Sequence, residues 1–430
     1  MNAEASLSAF LNPPASARAR AVIMSDDAGE VQVIARESGL LNLESLASAT
    51  LRTLRPRPYD TSAATAAIPG HYDLPVVIDG ALTRVRELAL ATTEPGGYVR
   101  ASGPDLANGL DEIHIADLTD PVGDEPSDTS SAGDQQRIHA AVREFTSLRM
   151  HERLDQTLQI PPLPEAARRI VALHADPYYD LKDLVAIVEM DPSMAARIMG
   201  WANSAFYHAD PPAKAIDDAV MRVLGCDTVM SMALGLALGQ TLRLPAEQVR
   251  GLPAYWLDAV LTAATTEALA RRMPAEHRPN TGLCYLAGLL ANFGTLVLGH
   301  VFPPHYEKIC RLQEANRHLP HTYVDHYVLK LPRELLASTL LELWSVPQEA
   351  IDAIRYQYVA DYQGSNATYV HLLALARQAL GSVGMTDYPA MGLKDADAQR
   401  LGLDSSQLSS VLRDINDSRD ELDGFVRAFG

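Results

Sequence analysis

The feature that most constrains this chain is a change of hydrophobic period across an acidic segment at residues 116 to 136. There Asp117, Asp120, Asp124, Glu125, Asp128 and Asp134 are interleaved with Pro, Gly, Ser and Thr, and no basic residue occurs before Arg137. Such a segment buries too little apolar area to offset its ordering entropy, so it predicts a mobile acidic linker. Before it, Ala21 to Met24, Val31 to Ala35, Pro75 to Asp79 and Tyr98 to Ala101 have strand character, with hairpin turns expected at residues 26 to 29 and at Asp79-Gly80. A helix from Asn42 to Leu54 is expected among them. After it the period becomes helical: Ile138, Ala141, Val142, Phe145 and Leu148 recur at three and four residues, as do Leu181, Leu184, Val185 and Val188. Asp191-Pro192 has the form of a helix N-cap followed by a first-turn proline, and Pro303-Pro304, Pro320 and Pro347 punctuate further helices.

Length and composition bound what such a chain can do. At 430 residues and 47% apolar it can build two or three cores. The formal charge of -18, with five lysines against thirty-one arginines, repels a phosphodiester backbone, so general nucleic-acid binding is not expected. Cys226, Cys284 and Cys310 are far apart and show no paired spacing, which argues against structural zinc and disulfide frameworks. With no basic and apolar leader and no long uninterrupted apolar run, the expectation is a cytoplasmic protein without a membrane segment.

The helical half carries ordered motifs. Ile160-Pro-Pro-Leu-Pro164 is followed by Glu189-Met-Asp-Pro-Ser193, Trp201-Ala-Asn-Ser-Ala-Phe-Tyr207 and Ala215 to Gly225; downstream lie Trp256, Ala287-Gly-Leu-Leu-Ala-Asn-Phe-Gly294 and Leu340 to Pro347. In that order they resemble the HDOD domain, the regulatory relative of the HD and HD-GYP phosphohydrolases, over residues 150 to 382. The motif residues Pro164, Asp191, Asn203, Gly225, Trp256, Gly288, Gly294 and Trp344 are expected to be mainly structural, with Asn203 bonding backbone groups where helices meet.

A phosphohydrolase of the related families writes His-Asp where this chain has Ala291-Asn292. An imidazole and a carboxylate both donate lone pairs to a divalent cation; a methyl group donates none and a neutral amide oxygen donates weakly. The same resemblance places the other ligand positions near Asp258, at Arg333, within Tyr356-Gln357-Tyr358 and at Arg377. Only Asp258 among them suits a cation, and the two arginines would repel one. The expectation is therefore no metal and no other cofactor, with Asp258, Asn292, Arg333, Gln357 and Arg377 lining a remnant pocket.

The first part of the chain resembles the YbaK-type aminoacyl-tRNA deacylase domain over residues 15 to 112, through Val22 to Met24, Leu43 to Ala47, Pro75 to Asp79 and Gly97 to Ser102 with Asp105-Leu106. The resemblance puts Arg20 where that family relies on a lysine, and Gly70-His71 where it has a glycine loop. Arginine keeps the charge with a different hydrogen-bond fork, so this site too is expected to be degenerate. His300, His305, His318, His321 and His326 fall on a segment broken by prolines and are expected to serve surface or capping roles. Gly-x-Ser-x-Gly and Gly-Lys are both absent, which removes the nucleophile elbow and the phosphate loop.

The expected architecture is a multidomain α+β chain: a mixed α/β deacylase-like domain at 1 to 115, the linker at 116 to 136, an all-helical HDOD domain at 137 to 385, and a helical extension at 386 to 430. The expected function is non-catalytic signal transduction through signalling protein partners or a small nucleotide ligand, with homo-oligomerisation open. The alternatives are tRNA editing or tRNA binding by the first domain, and residual metal-dependent phosphohydrolysis.

Overall fold

The computed structural model describes residues 17–57, 74–91, 97–109, 113–122, 162–176, 178–242, 248–249, 254–386 and 395–427. Ile138 to Leu148, Gly70 and His71 lie outside the described residues. The chain divides into two compact units: Met1–Pro126 with Glu247–Gly251 and Pro304–Val328, and the remainder.

In the first unit, β1 (Arg18–Asp26) and β2 (Gly29–Arg36) form an antiparallel hairpin in which Asp26 pairs with Gly29. The Asp26 carboxylate accepts from the Ala28 amide at 2.8 Å, and Gly29 takes φ 124, a value open to glycine without strain. The remaining strands are β3 (Gly39–Leu41), β4 (Arg55–Pro56), β5 (Val76–Asp79), β6 (Leu88–Ala91), β7 (Tyr98–Ala101), β8 (Ile113–Ala116) and β9 (Thr119–Pro121). A seven-stranded mixed sheet runs β7-β6-β1-β2-β5-β8, with β4 on β1, and β3 pairs separately with β9. Both faces are buried. Val31, Val33 and Ala35 pack with Met24, Leu41, Leu46 and Leu118, while Ile34 packs on the other face with Ala19, Val76, Ile78, Leu82 and Leu90.

Three expectations need correction in this unit. Asp79-Gly80 is not a hairpin turn: β5 lies between β2 and β8, parallel to both, and the chain leaves it through a short 3-10 turn at Leu82–Arg84. The Asp79 carboxylate is spent on the Ala81 amide, Arg36 and Thr119. The helix α1 (Leu43–Thr50), capped by Asn42 as expected, stops four residues early because Leu51 enters the left-handed region at φ 54. Part of the acidic segment is ordered: β9 lies inside it, and Asp120 accepts from Asn42 at 2.8 Å and Tyr327 at 2.7 Å. Local composition undercounts such nonlocal bonds. Residues 123 to 136 lie outside the described ones. One short helix, α2 (Gly103–Gly109), follows β7.

The second unit is helical. In order come α3 (Glu165–His174), α4 (Leu181–Glu189), α5 (Pro192–Ala202), α6 (Cys226–Thr241), α7 (Tyr255–Arg272), α8 (Thr281–Leu289) and α9 (Phe293–Val301). The path continues through α10 (Pro303–Ala315), α11 (His321–Leu329), α12 (Arg333–Leu343), α13 (Gln348–Tyr356), α14 (Ala367–Ser382), α15 (Asp395–Arg400), α16 (Ser405–Asp417) and α17 (Arg419–Arg427). Residues 304–328, expected inside the helical domain, group instead with the sheet unit. The five histidines likewise fall on or beside helices rather than along an extended link.

Helix α7 is the centre of the helical unit, buried on nearly all sides and packed by α8, α14, α16 and α17. A helix that is apolar all round belongs in a core. Gly288 permits a close crossing of α7 by α8, because a Cβ there would stand 2.5 Å from the Ala263 Cα. The C-terminal extension packs back: Leu408, Val411, Ile415 and Leu422 join the helical core. Thr281–Val301 is long and apolar enough to cross a membrane, but it is two helices, broken at Leu290 to Asn292, and 89% of its most apolar window is buried inside the protein.

Candidate functional site

The motif residues hold the helix ends. Asp191 caps α5, accepting from the Ser193 and Met194 amides at 2.9 and 3.2 Å with Pro192 as first helical residue. Pro164 precedes α3, and Gly225, at φ 85, joins a π-helical turn at Ala219–Leu224 to α6. Trp256 seats against Gly239, whose missing side chain makes the room, and Trp344 meets Phe293 edge to face at 6.0 Å. Gly294 lies against the Arg333 backbone, where a Cβ would stand 2.6 Å from the carbonyl oxygen.

The sequence-predicted pocket residues are brought together. The α9 N-cap Asn292 donates its side-chain amide to the carboxylate of Asp258 on α7. One residue earlier, the Ala291 carbonyl accepts from Gln357 at 3.1 Å, and Arg377 donates to the Gln357 oxygen at 2.6 Å. The Arg377 guanidinium also lies over the Tyr358 ring at 5.6 Å. Arg333, the first residue of α12, donates to the hydroxyl of Thr295 on α9 at 3.2 Å. Asp258, Arg333, Gln357 and Arg377 are all buried.

A second polar centre was not expected. Glu267 on α7 is fully buried, and its carboxylate accepts from the Tyr207 hydroxyl at 2.7 Å, the Thr228 hydroxyl at 2.9 Å and Arg271 at 2.7 Å. Burial, then the nearby Glu267 charge, pushes the Tyr207 and Tyr285 hydroxyls well above the usual tyrosine range, so both stay protonated. The Trp201 to Tyr207 motif hangs on this centre. Asn203 donates to the Ala213 carbonyl at 3.0 Å and accepts from its amide at 2.6 Å, closing the loop between them. Glu421 on α17 accepts from the Ala205 amide at 2.8 Å. The sequence does carry a cue: Glu267 is the one charged residue between Ala259 and Ala270.

In the first unit Arg20 is buried. Its guanidinium donates to the Ala315 carbonyl at 2.8 Å and the Asn316 side-chain oxygen at 2.7 Å. Desolvation, partly offset by Glu37, lowers its pKa to about 9. The residue expected at a deacylase-like site is thus engaged by the α10 terminus.

Residues 160–360 match the HDOD domain. A crystal structure of a protein from Marinobacter aquaeolei VT8, described as a candidate for signal transduction, is 35% identical and superposes with a TM-score of 0.84 over 97% of this chain and 96% of that one. The chain carries an HDOD domain over residues 160–360. An HDOD protein from Geobacter sulfurreducens, described as of unknown function, shares the fold at 20% identity and a TM-score of 0.53, over 69% of this chain and 99% of its own. A Shewanella amazonensis SB2B protein described as a candidate phosphohydrolase does so at 17% and 0.50, over 68% and 98%. An uncharacterized Treponema pallidum protein is 24% identical over 204 residues; that match spans 47% of this chain and 38% of the relative. The Marinobacter match runs through both units, so the sheet belongs to the shared architecture as much as the HDOD helices do.

Proposed function

We propose that this chain is a non-catalytic regulatory protein of bacterial signalling, acting through protein contacts or a small ligand rather than through metal chemistry. One observation carries the reading: where a phosphohydrolase would hold its cation, Asp258 is bonded to Asn292, and the Ala291 carbonyl, Gln357 and Arg377 are bonded to one another. A divalent ion needs several lone pairs directed at one point. The positions that the resemblance sets against ligands offer a methyl group at Ala291, amides at Asn292 and Gln357, guanidiniums at Arg333 and Arg377, and a carboxylate only at Asp258, so the residues do not fit a metal. The Marinobacter relative's description as a signal transduction candidate supports the same role.

The test is direct. Metal analysis of purified protein should find no stoichiometric iron, manganese or zinc, and a chromogenic phosphodiester with added manganese should turn over no faster than buffer. One equivalent of metal, lost in Asp258→Ala, would overturn the reading.

The first unit is read as a deacylase-like domain without its activity. The support is that Arg20 spends both terminal nitrogens on the protein's own Ala315 and Asn316. Mischarged tRNA should therefore release no amino acid above background, and Arg20→Lys should gain little. Robust wild-type release, abolished by Arg20→Ala, would favour the editing reading instead. Partners follow from the role: signalling proteins, or a small nucleotide, in the cytoplasm.

A further inference from the structure

The Glu267 centre has a neighbour that its three bonds do not include. Tyr285 on α8 is 1% exposed, and no protein group bonds its hydroxyl. Burying a hydroxyl without a partner is costly, so a group of this kind points to something that satisfies it.

The packing brings that hydroxyl toward the carboxylate. Helices α7 and α8 are consecutive in the chain and cross closely where Gly288 meets Ala263. Tyr285 lies one turn before Gly288 on α8, and Glu267 lies one turn after Ala263 on α7, so an antiparallel pair sets the two side chains level. Burial first, then the Glu267 charge, raises both Tyr207 and Tyr285, and Tyr285 adds to the rise at Tyr207, which puts the three groups within electrostatic reach of one another. The carboxylate also has an acceptor position to spare. Its Oε1 accepts from Thr228 and Arg271, which occupies both lone pairs, whereas Oε2 accepts from Tyr207 alone.

We propose that the Glu267 centre contains a binding site for one internal water molecule, which accepts from the Tyr285 hydroxyl and donates to Glu267 Oε2. The Tyr207 oxygen has given its own hydrogen to Glu267 and keeps lone pairs for the water's second hydrogen. Three bonds is the usual complement of a buried water. A neutral guest also fits the charge, because Arg271 already pairs with Glu267 and a cation would leave a buried charge unbalanced. The water joins α8 to the bonds that hold the Trp201 to Tyr207 motif.

Tyr285→Phe keeps the ring and its edge contact with Trp201 and removes only the hydroxyl. With the water in place, the urea midpoint of the full chain should fall by about 0.3–0.5 M, a roughly fivefold rise in the unfolding constant. A midpoint at or above wild type would overturn the site, since deleting an unpaired buried hydroxyl relieves a cost. A high-resolution crystal structure of the full chain reads the same site directly and decides the matter if the variant fails to fold. Density for one atom within hydrogen-bond distance of Tyr285, Glu267 and Tyr207 is the expected result. Tyr285 bonded directly to a protein group, density longer than one atom, or none at all counts against the proposal.

Discussion

Replacing Glu267 by alanine should destabilise the helical unit far more than its single charge suggests. Two of its three partners, the Tyr207 and Thr228 hydroxyls, would lose their acceptor, and each orphaned buried donor costs about 1–3 kcal/mol. Arg271 is 47% exposed and can turn to water, so its share is about 1 kcal/mol or less. With the cavity left by the side chain the sum is about 3–5 kcal/mol, the range found when one partner of a buried polar pair is removed. Glu267→Gln keeps the shape and one acceptor oxygen and should cost about 1–2 kcal/mol.

The assay is supplied by the sequence. All three tryptophans, Trp201, Trp256 and Trp344, lie in the helical unit, so their fluorescence during urea unfolding reports on that unit. At a slope of about 2–3 kcal/mol per molar, Glu267→Ala should lower the midpoint by roughly 1–2 M. Asp414→Ala, which breaks a surface pair with Arg272, is the control and should shift it by a few tenths of a molar. In a Tyr207→Phe background part of the Glu267→Ala penalty should vanish, since the donor it orphans has gone. Equal midpoints for Glu267→Ala and Asp414→Ala would refute the assignment of Glu267 as the hub.

Three further outcomes follow from named contacts. Asn203→Ala removes both bonds that close the loop to Ala213 and should cost about 2 kcal/mol in the same fluorescence assay. Gly288→Ala forces a Cβ to 2.5 Å from the Ala263 Cα, backbone against backbone, and should cost about 3 kcal/mol or prevent folding, read by circular dichroism melting. His318 is largely buried, and burial with the neighbouring Arg20 charge pushes its pKa down to about 2. Unfolded His318 protonates near 6.5, so the unfolded chain binds the extra proton between those values and stability falls as pH drops through that window. By pH 5 wild type should have lost about 2 kcal/mol that His318→Asn does not lose, measured by hydrogen exchange of the β1 and β2 amides at both pH values.

The parts of the fold that the sequence displays are those whose determinants are local. Short runs of β-branched and apolar residues mark β1, β2, β5 and β7; β2 and β5 bury residues on both faces, while β7 is only partly buried. The caps at Asn42 and Asp191 are read from adjacent residues because the bonds span two or three positions. What escapes is pairing. Asp79-Gly80 has the composition of a hairpin turn, yet β5 takes its neighbours from residues 32–34 and 113–116. β9 hides in an acidic stretch because its stability comes from Asn42 and Tyr327, 78 and 207 residues away. The grouping of 304–328 with the sheet is equally invisible, since its anchors join Asn316 to Arg20 and Leu41.

The same division governs the site. The resemblance to the phosphohydrolases sets Ala291 and Asn292 against ligand types in the sequence, but does not say what these residues do with their hydrogen bonds. The structure supplies an answer with a physical logic. A cavity shaped for a cation and stripped of its ligands would leave Asp258 and the Ala291 carbonyl needing partners, and buried polar groups without them are costly. Asn292, Gln357 and Arg377 are donor-bearing residues, and they direct their donors at those two acceptors. Substitutions that drifted at random would have no reason to match acceptor to donor across α7, α9, α13 and α14. On the non-catalytic reading proposed above, such a match is what a scaffold needs at a centre that holds no ion.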